Sequence, residues 1–312
     1  MKNGKIIVAN TGDDSLTIID LENWTKVEKW CLKESILFNK NINMQNIYLG
    51  PYEMEFDMAG NLYCANIYDN SILKINLEKK EIVDILAVGK YPTCIKYFEN
   101  KLFVINSDSN SISIVDAENF TLEENIQVGE KPIDLEIDKK DKKIYIANYY
   151  GQCIDVIDLK NYGRITIKLK STPVKMTIYN NKLLVLTNIN NGNLNARNIS
   201  NLCMIDLKNY GKKNIQNFSG ILNNILKLEG REIVFATNMD SGYLYKIDIK
   251  RGNLLSKTYL SGMPNKLKWD GGSLLFITNI SKNLLTLFDI KLNKVVDNIE
   301  VGKEPNSILL LN

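Results

Sequence analysis

Apolar and polar positions alternate along this chain in short runs, and the runs return in a fixed order. Residues 143–161 read "KIYIANYYGQCIDVIDLKN"; earlier copies are "KLFVINSDSNSISIVDAEN" and "NLYCANIYDNSILKINLEK". A period of two, in runs bounded by Asn, Asp, Gly and Pro, predicts half-buried strands joined by tight turns. Each copy reads as four strands. Strand a opens on proline, as in "PTCIKYF" and "PIDLEID". Strand b is apolar and ends in asparagine, as in "KLFVIN". Strand c alternates, as in "SISIVD", and strand d runs to Val-Gly, as in "IQVG".

The asparagines ending strand b are Asn10, Asn66, Asn106, Asn148, Asn188, Asn238 and Asn279, at spacings of 56, 40, 42, 40, 50 and 41. Most fall in the range of four-stranded propeller blades, and the two long spacings read as the same unit with insertions. Proline supplies an independent check of phase. All six, Pro51, Pro92, Pro132, Pro173, Pro264 and Pro305, stand at the start of strand a, where a missing N–H costs the ladder nothing. The seventh copy puts Leu222 there. The chain starts on a strand b and finishes on a strand a, and from Asn279 around to Asn10 is 43 residues, one further blade. The fold expected is all-β: a single domain over 1–312, a seven-bladed β-propeller of four-stranded blades. Its ring is closed by the C-terminal strand joining the N-terminal blade, so that blade 1 is 4–33 plus 305–311. Closure removes the free sheet edges of an open array.

"LYCAN", "IYIAN", "SISIVD" and "VGEKP" resemble the YVTN repeat of bacterial seven-bladed β-propellers, the YncE-like group, over nearly the whole chain. The resemblance implies the propeller fold and a binding or surface role without a shared reaction. WD-repeat propellers match less well, because the Gly-His and Trp-Asp signatures are missing.

Composition removes several functions. The net charge is +3, from 39 basic and 36 acidic residues, too small to imply a nucleic-acid or anionic-membrane partner. The lysine-dense run "KKDKK" at 139–143 reads as a solvated turn. The N-terminus carries no apolar signal region and no run approaches a membrane span, so a cytoplasmic monomer is expected. The five cysteines, Cys31, Cys64, Cys94, Cys153 and Cys203, are scattered without a Cys-x-x-Cys pair. That argues against a disulfide framework or thiolate zinc site and suits a reducing compartment. Histidine is absent. Its absence removes the usual general base and the commonest metal ligand, and with them any Ser-His-Asp or Cys-His site within the chain.

A residue type repeated in every blade is most simply structural. The strand-b asparagines can bond the following turn. The residues ending strand c, Asp20, Asn76, Asp116, Asp158, Asp206, Asp248 and Asp289, can satisfy turn N–H groups between strands c and d. Function is sought where copies differ. The two insertions, 34–50 between blades 1 and 2 and 190–201 in blade 5, both belong to connections on the face where strand a starts. With blades about 51° apart they would oppose each other across the channel. Residues after the strand-a proline, among them Glu53, Cys94, Asp134, Lys175, Asn224, Lys266, Asn306 and Ser307, are expected around the channel mouth, with Tyr68, Tyr149 and Tyr150 in nearby turns.

Three functional classes follow. A non-catalytic binding or scaffold propeller would recognise a protein or small polar ligand at that face, without cofactor, through Glu53, Tyr68, Asp134, Tyr149, Lys175, Arg197 and Lys266. Arg197 is the only arginine in either insertion and its planar fork suits a carboxylate or phosphate. The alternative is a Ca2+-assisted hydrolase or lactonase with Glu53, Asp134, Asn224 and Asn306 as oxygen ligands. A lyase like the streptogramin-inactivating propellers relies on a histidine base with Mg2+, which this chain cannot supply. Cys94, with no histidine to activate it, reads as a buried or rim thiol.

Overall fold

The computed structural model describes residues 4–35, 49–57, 59–189 and 198–311. Among them, 28 strands form seven four-stranded sheets, and the fold is a seven-bladed β-propeller. Blade 1 contributes β1 (Lys5–Asn10), β2 (Ser15–Asp20) and β3 (Val27–Cys31). Blade 2 is β4 (Pro51–Phe56), β5 (Asn61–Asn66), β6 (Ser71–Asn76) and β7 (Glu81–Ala87). Blade 3 is β8 (Pro92–Phe98), β9 (Lys101–Asn106), β10 (Ser111–Asp116) and β11 (Thr121–Gln127). Blade 4 is β12 (Pro132–Asp138), β13 (Lys143–Asn148), β14 (Cys153–Asp158) and β15 (Arg164–Lys168). Blade 5 is β16 (Thr172–Tyr179), β17 (Lys182–Ile189), β18 (Ile199–Asp206) and β19 (Lys212–Ser219). Blade 6 is β20 (Asn224–Lys227), β21 (Ile233–Asn238), β22 (Tyr243–Asp248) and β23 (Asn253–Tyr259). Blade 7 is β24 (Pro264–Trp269), β25 (Leu274–Asn279), β26 (Leu284–Asp289) and β27 (Lys294–Glu300). The last strand, β28 (Pro305–Leu311), pairs antiparallel with β1, Ile7 opposite Leu309, and gives blade 1 the order β28-β1-β2-β3.

Two compact units are present. The first, Met1–Gln127 with Asn283–Thr286 and Asn298–Asn312, holds blades 1, 2 and 3. The second, Val128–Lys282 with Leu287–Asp297, holds blades 4, 5 and 6 and the inner strands of blade 7. Each is built from apolar layers between successive sheets. In the first, Tyr63 and Ile72 of blade 2 pack against Ile95, Leu102, Val104 and Val115 of blade 3. In the second, Leu184, Leu186 and Leu202 of blade 5 pack against Val234, Ala236 and Ile247 of blade 6. The strand-b runs are buried almost throughout because both faces of a middle strand meet neighbours.

Proline leaves a mark on register. Each of the six strands carrying it is bulged immediately afterwards: Pro92 lies opposite Asn106 but Cys94 opposite Ile105, and the same skip follows Pro132, Pro173 and Pro305, with wider skips after Pro51 and Pro264. A residue without N–H breaks the ladder, and the extra residue is absorbed there. Strand β20, which lacks proline, keeps regular register from Asn224 to Lys227. Several boundaries differ from the sequence reading: β17 runs one residue past Asn188 to Ile189, and β18 begins at Ile199, inside the 190–201 insertion. Strand β16 begins one residue before Pro173, and β20 begins at Asn224 rather than Leu222, because the Leu222 N–H goes to Ser200 Oγ and its carbonyl accepts from Asn188.

Candidate functional site

The repeated polar residues form the scaffold of the turns. Asn106, fully buried, donates through Nδ2 to Ser111 Oγ (3.1 Å) and Ser113 Oγ (2.9 Å) on the next strand. Asn10 does the same to Ser15 and Thr17, and Asn66 to Ser71. The glycine two residues past the preceding strand d packs on this amide. A Cβ on Gly89 would come 2.6 Å from Asn106 Cγ, one on Gly129 2.5 Å from Asn148 Nδ2, and one on Gly302 2.6 Å from Asn10 Cγ. The Val-Gly ending is therefore a packing requirement of the asparagine. The residues closing strand c cap their turns: each of Asp20, Asn76, Asp116, Asp158, Asp206, Asp248 and Asp289 accepts through Oδ1 from a backbone N–H two or three residues on.

Blade 4 departs from this pattern in a way sequence reasoning missed. Asp155, fully buried on β14, takes the place of Ser113 and Thr17. It accepts from Gly129 N–H (2.8 Å), Asn148 Nδ2 (2.8 Å), Thr166 Oγ1 (2.7 Å) and Arg164 Nη2 (2.6 Å). The signal was available: in this column of strand c the other polar residues are hydroxyls, Thr17, Ser113 and Thr286, and Asp155 is the lone carboxylate.

Of the predicted site residues, Asp134 and Lys175 are brought into direct contact. Lys175 Nζ lies 2.5 Å from Asp134 Oδ1, and Asp134 Oδ2 accepts the Met176 N–H at 2.7 Å. Asp134 is 2% exposed. The pair ties β12 to β16 rather than standing open at a rim. Cys94, Asn306 and Ser307 are likewise buried beside the post-proline bulge, and Asn224 is buried on the regular strand β20. Glu53 and Lys266 are partly buried. Glu53 lies near enough to Cys64 to add to the effect of burial, which pushes that thiol up to about 12. Burial also raises Cys203, to about 11, and Cys153. Arg197 lies outside the described residues, as do 36–48 and 190–197 of the two insertions.

The aromatic positions lie on turns. In the second unit Tyr149 and Tyr150 meet edge to face with centroids 5.2 Å apart, and Tyr150 stays exposed. In the first unit Tyr68, half exposed, lies on Gly50, where a Cβ would come 2.5 Å from its ring. Its phenol is raised by partial burial, then by Glu304, Tyr91 and Asp14. Tyr91 and Glu304, the residues immediately before Pro92 and Pro305, were not singled out from sequence. Both adopt left-handed backbone, φ 57° and 53°. Among the described residues no group of three His, Cys, Asp or Glu side chains could hold a metal ion, and no helix is long and apolar enough to cross a membrane.

No protein-family model and no curated protein matches the sequence. Solved structures do. A candidate 6-phosphogluconolactonase from Bacteroides fragilis aligns over 100% of this chain and 99% of its own, with TM-score 0.73 and 12% identity. Virginiamycin B lyase from Staphylococcus aureus aligns over 84% of this chain and 89% of its own, at 0.70 and 15%. Hydrazine synthase from Kuenenia stuttgartiensis aligns over 88% and 92%, at 0.71 and 16%. At these identities the likeness is one of fold.

Proposed function

We propose that this chain is a non-catalytic recognition propeller, related to the YVTN-repeat (YncE-like) group, that takes a protein or small polar ligand on its b–c and d–a connections. One observation carries the reading. The carboxylate considered for chemistry, Asp134, has both oxygens occupied by Lys175 and the Met176 N–H, while the aromatic rings Tyr68, Tyr91 and Tyr150 stand exposed on connecting turns. Exposed rings beside mixed charge are the composition of a recognition surface. The five cysteines, none of them in a disulfide among the described residues, support a cytoplasmic setting.

The Ca2+-assisted lactonase remains the competing reading, supported by the fold of the Bacteroides protein. Its ligand set would have to draw Asp134 out of its ion pair. Thermal melting separates the two. A binding propeller is expected to melt at the same temperature with and without millimolar Ca2+, and to be stabilised by its ligand by about 2.7 kcal/mol at a hundredfold excess over Kd. A Ca2+-dependent rise in Tm accompanied by lactone hydrolysis would establish the enzyme instead. Replacing residues 190–198 with a two-residue turn, which leaves β18 intact, or Arg197→Ala, is expected to weaken ligand binding while the fold survives. Undiminished binding by both variants would place the site away from that insertion.

A further inference from the structure

Each strand d ends the order of its sheet, so one of its edges has no strand beside it. Such an edge is a template for another chain, and charged side chains are a usual defence. Strand β23 of blade 6, in the second unit, is the least defended of the seven. It carries one charged side chain, Lys257, where each of β3, β7, β11, β15, β19 and β27 carries two or three. It also exposes three large apolar side chains, Leu254 (40%), Leu255 (45%) and Tyr259 (62%), where no other strand d exposes more than one. Leu292, 63% exposed, stands on the turn beside it. There Asn293 accepts from Ser256 Oγ at 3.0 Å and donates to Thr258 Oγ1 at 3.4 Å.

The single charge is held in place. Lys257 and Tyr259 stand opposite Tyr245 and Tyr243 in the β22–β23 ladder. The Lys257 ammonium lies 4.0 Å from the Tyr243 ring centroid and 5.2 Å from that of Tyr245, and the rings of Tyr243 and Tyr259 are 5.1 Å apart. Tyr245 is buried edge to face against Phe218 of blade 5, with centroids 6.0 Å apart, so the platform under the ammonium is anchored in the core. Among the described residues Lys257 donates no hydrogen bond and makes no ion pair. Its surroundings are cationic. From Ile249 to Met263 the chain has Lys250, Arg251 and Lys257 and no acid, and Arg251 alone reaches a carboxylate, Asp248 at 3.9 Å. A Cβ on Gly252 would come 2.8 Å from the Ile215 carbonyl oxygen, which sets this run against β19, where Lys212 and Lys213 are again unaccompanied by any acid.

We infer that β23 takes an extended acidic peptide of a partner protein as a fifth strand of blade 6, with a carboxylate on Lys257 and an apolar side chain against Tyr259. In such an addition ladder bonds supply affinity and side chains at alternate positions supply selectivity. The bulge that skips Leu255 leaves Ser256–Tyr259 as the regular stretch open to pairing. Residues two apart on a strand share a face, so the partner is read by an acid and an apolar residue two positions apart. A second copy of this chain is a poorer occupant, because β23 paired with itself brings two cationic runs together with no acid to meet Lys257. The edge lies on a strand d and is separate from the b–c and d–a connections of the recognition face.

The test uses the intact chain and three fluorescein-labelled heptapeptides. The first has threonine on one face and valine, glutamate and valine on the other. The second has lysine in place of the glutamate. The third is the first N-methylated at its central residues, which removes the donors a strand needs. Binding is read by fluorescence anisotropy and by amide hydrogen exchange over 253–259. The glutamate peptide is expected to bind at millimolar concentration or tighter and to slow exchange in β23, and the other two to bind markedly less. Lys257→Glu should weaken the glutamate peptide by roughly threefold to thirtyfold and turn the preference toward the lysine peptide, and Tyr259→Ala should weaken it by roughly twofold to fivefold. The reversed preference reads the site even where a variant loses some stability, since a disrupted edge would bind neither peptide. Binding without slowed exchange in β23, equal binding of the N-methylated peptide, or a preference indifferent to Lys257→Glu overturns the inference. So does failure of the glutamate peptide to bind at millimolar concentration. If sedimentation shows the chain alone pairing through a protected β23, the occupant is a second copy and the partner peptide is overturned. The recognition face is tested separately, by the 190–198 and Arg197 variants, and stands whichever way β23 behaves.

Discussion

Blades 3 and 4 hold the same backbone turn with different chemistry. In blade 3 the buried asparagine, Asn106, is met by two serine hydroxyls, and Ser113 passes the chain on to Asn125 Oδ1 at 2.7 Å. In blade 4 Asn148 is met by Cys153 Sγ at 3.5 Å and by the Asp155 carboxylate, which gathers three further donors. The neutral version distributes its hydrogen bonds over groups that each donate and accept. The charged version concentrates them on one acceptor, and a buried carboxylate is tolerable only while its donors are all present. The difference teaches that the repeat conserves the geometry of the turn and leaves its chemistry free, so that the two blades should fail differently.

The largest expected effect comes from removing the hub. Asp155→Ala leaves a guanidinium, an amide, a hydroxyl and a backbone N–H without their acceptor, and a loss of about 3–5 kcal/mol is expected in urea unfolding. Asp155→Asn, with one acceptor oxygen instead of two, should lie between; if it equals wild type, the charge is irrelevant and the contrast with blade 3 dissolves. Next are the glycines. Neither Gly89 nor Gly129 has a left-handed backbone, so Gly89→Ala and Gly129→Ala probe sterics alone, and each should cost about 1–3 kcal/mol by displacing the asparagine beneath. Arg164→Ala should cost about 1–3 kcal/mol, since it too takes a donor from the fully buried Asp155, with its own half-exposed side chain partly screened by water. Asn106→Ala should cost about 1 kcal/mol while Asn148→Ala costs more, since the latter strips a donor from a buried charge. Identical values would show that the two turns are energetically interchangeable.

Strand existence and phase were legible because they rest on local causes. Alternation, the Asn at the end of strand b and the Pro at the start of strand a each act within a few residues, and together they place β4, β8, β12, β24 and β28 to the residue. The pairing of β28 with β1 followed from counting. The candidate site was less legible. Asp134 and Lys175 were singled out as ligand-binding positions at the channel mouth, but their mutual contact spans 41 residues and depends on the bulge after proline, which no periodicity shows. Tyr91 and Glu304 were passed over because their left-handed backbone is invisible in a residue string. Asp155 was passed over because a carboxylate in an apolar strand reads as an outward position until its four donors are seen.

The sharing of one sheet between β1 and β28 has a consequence for biosynthesis. Blades 2 to 7 are each built from consecutive strands and can pair as they leave the ribosome. Strand β1 is translated well ahead of β28, and the partner for its inner edge is made only when 305–311 have been translated. At about 5–20 residues per second that edge waits roughly 15–60 seconds, with buried-type residues such as Ile7 and Val8 open to other chains. Crowded polysomes, where identical nascent chains wait side by side, are therefore where this protein would be most prone to exchange its first strand with a neighbour's.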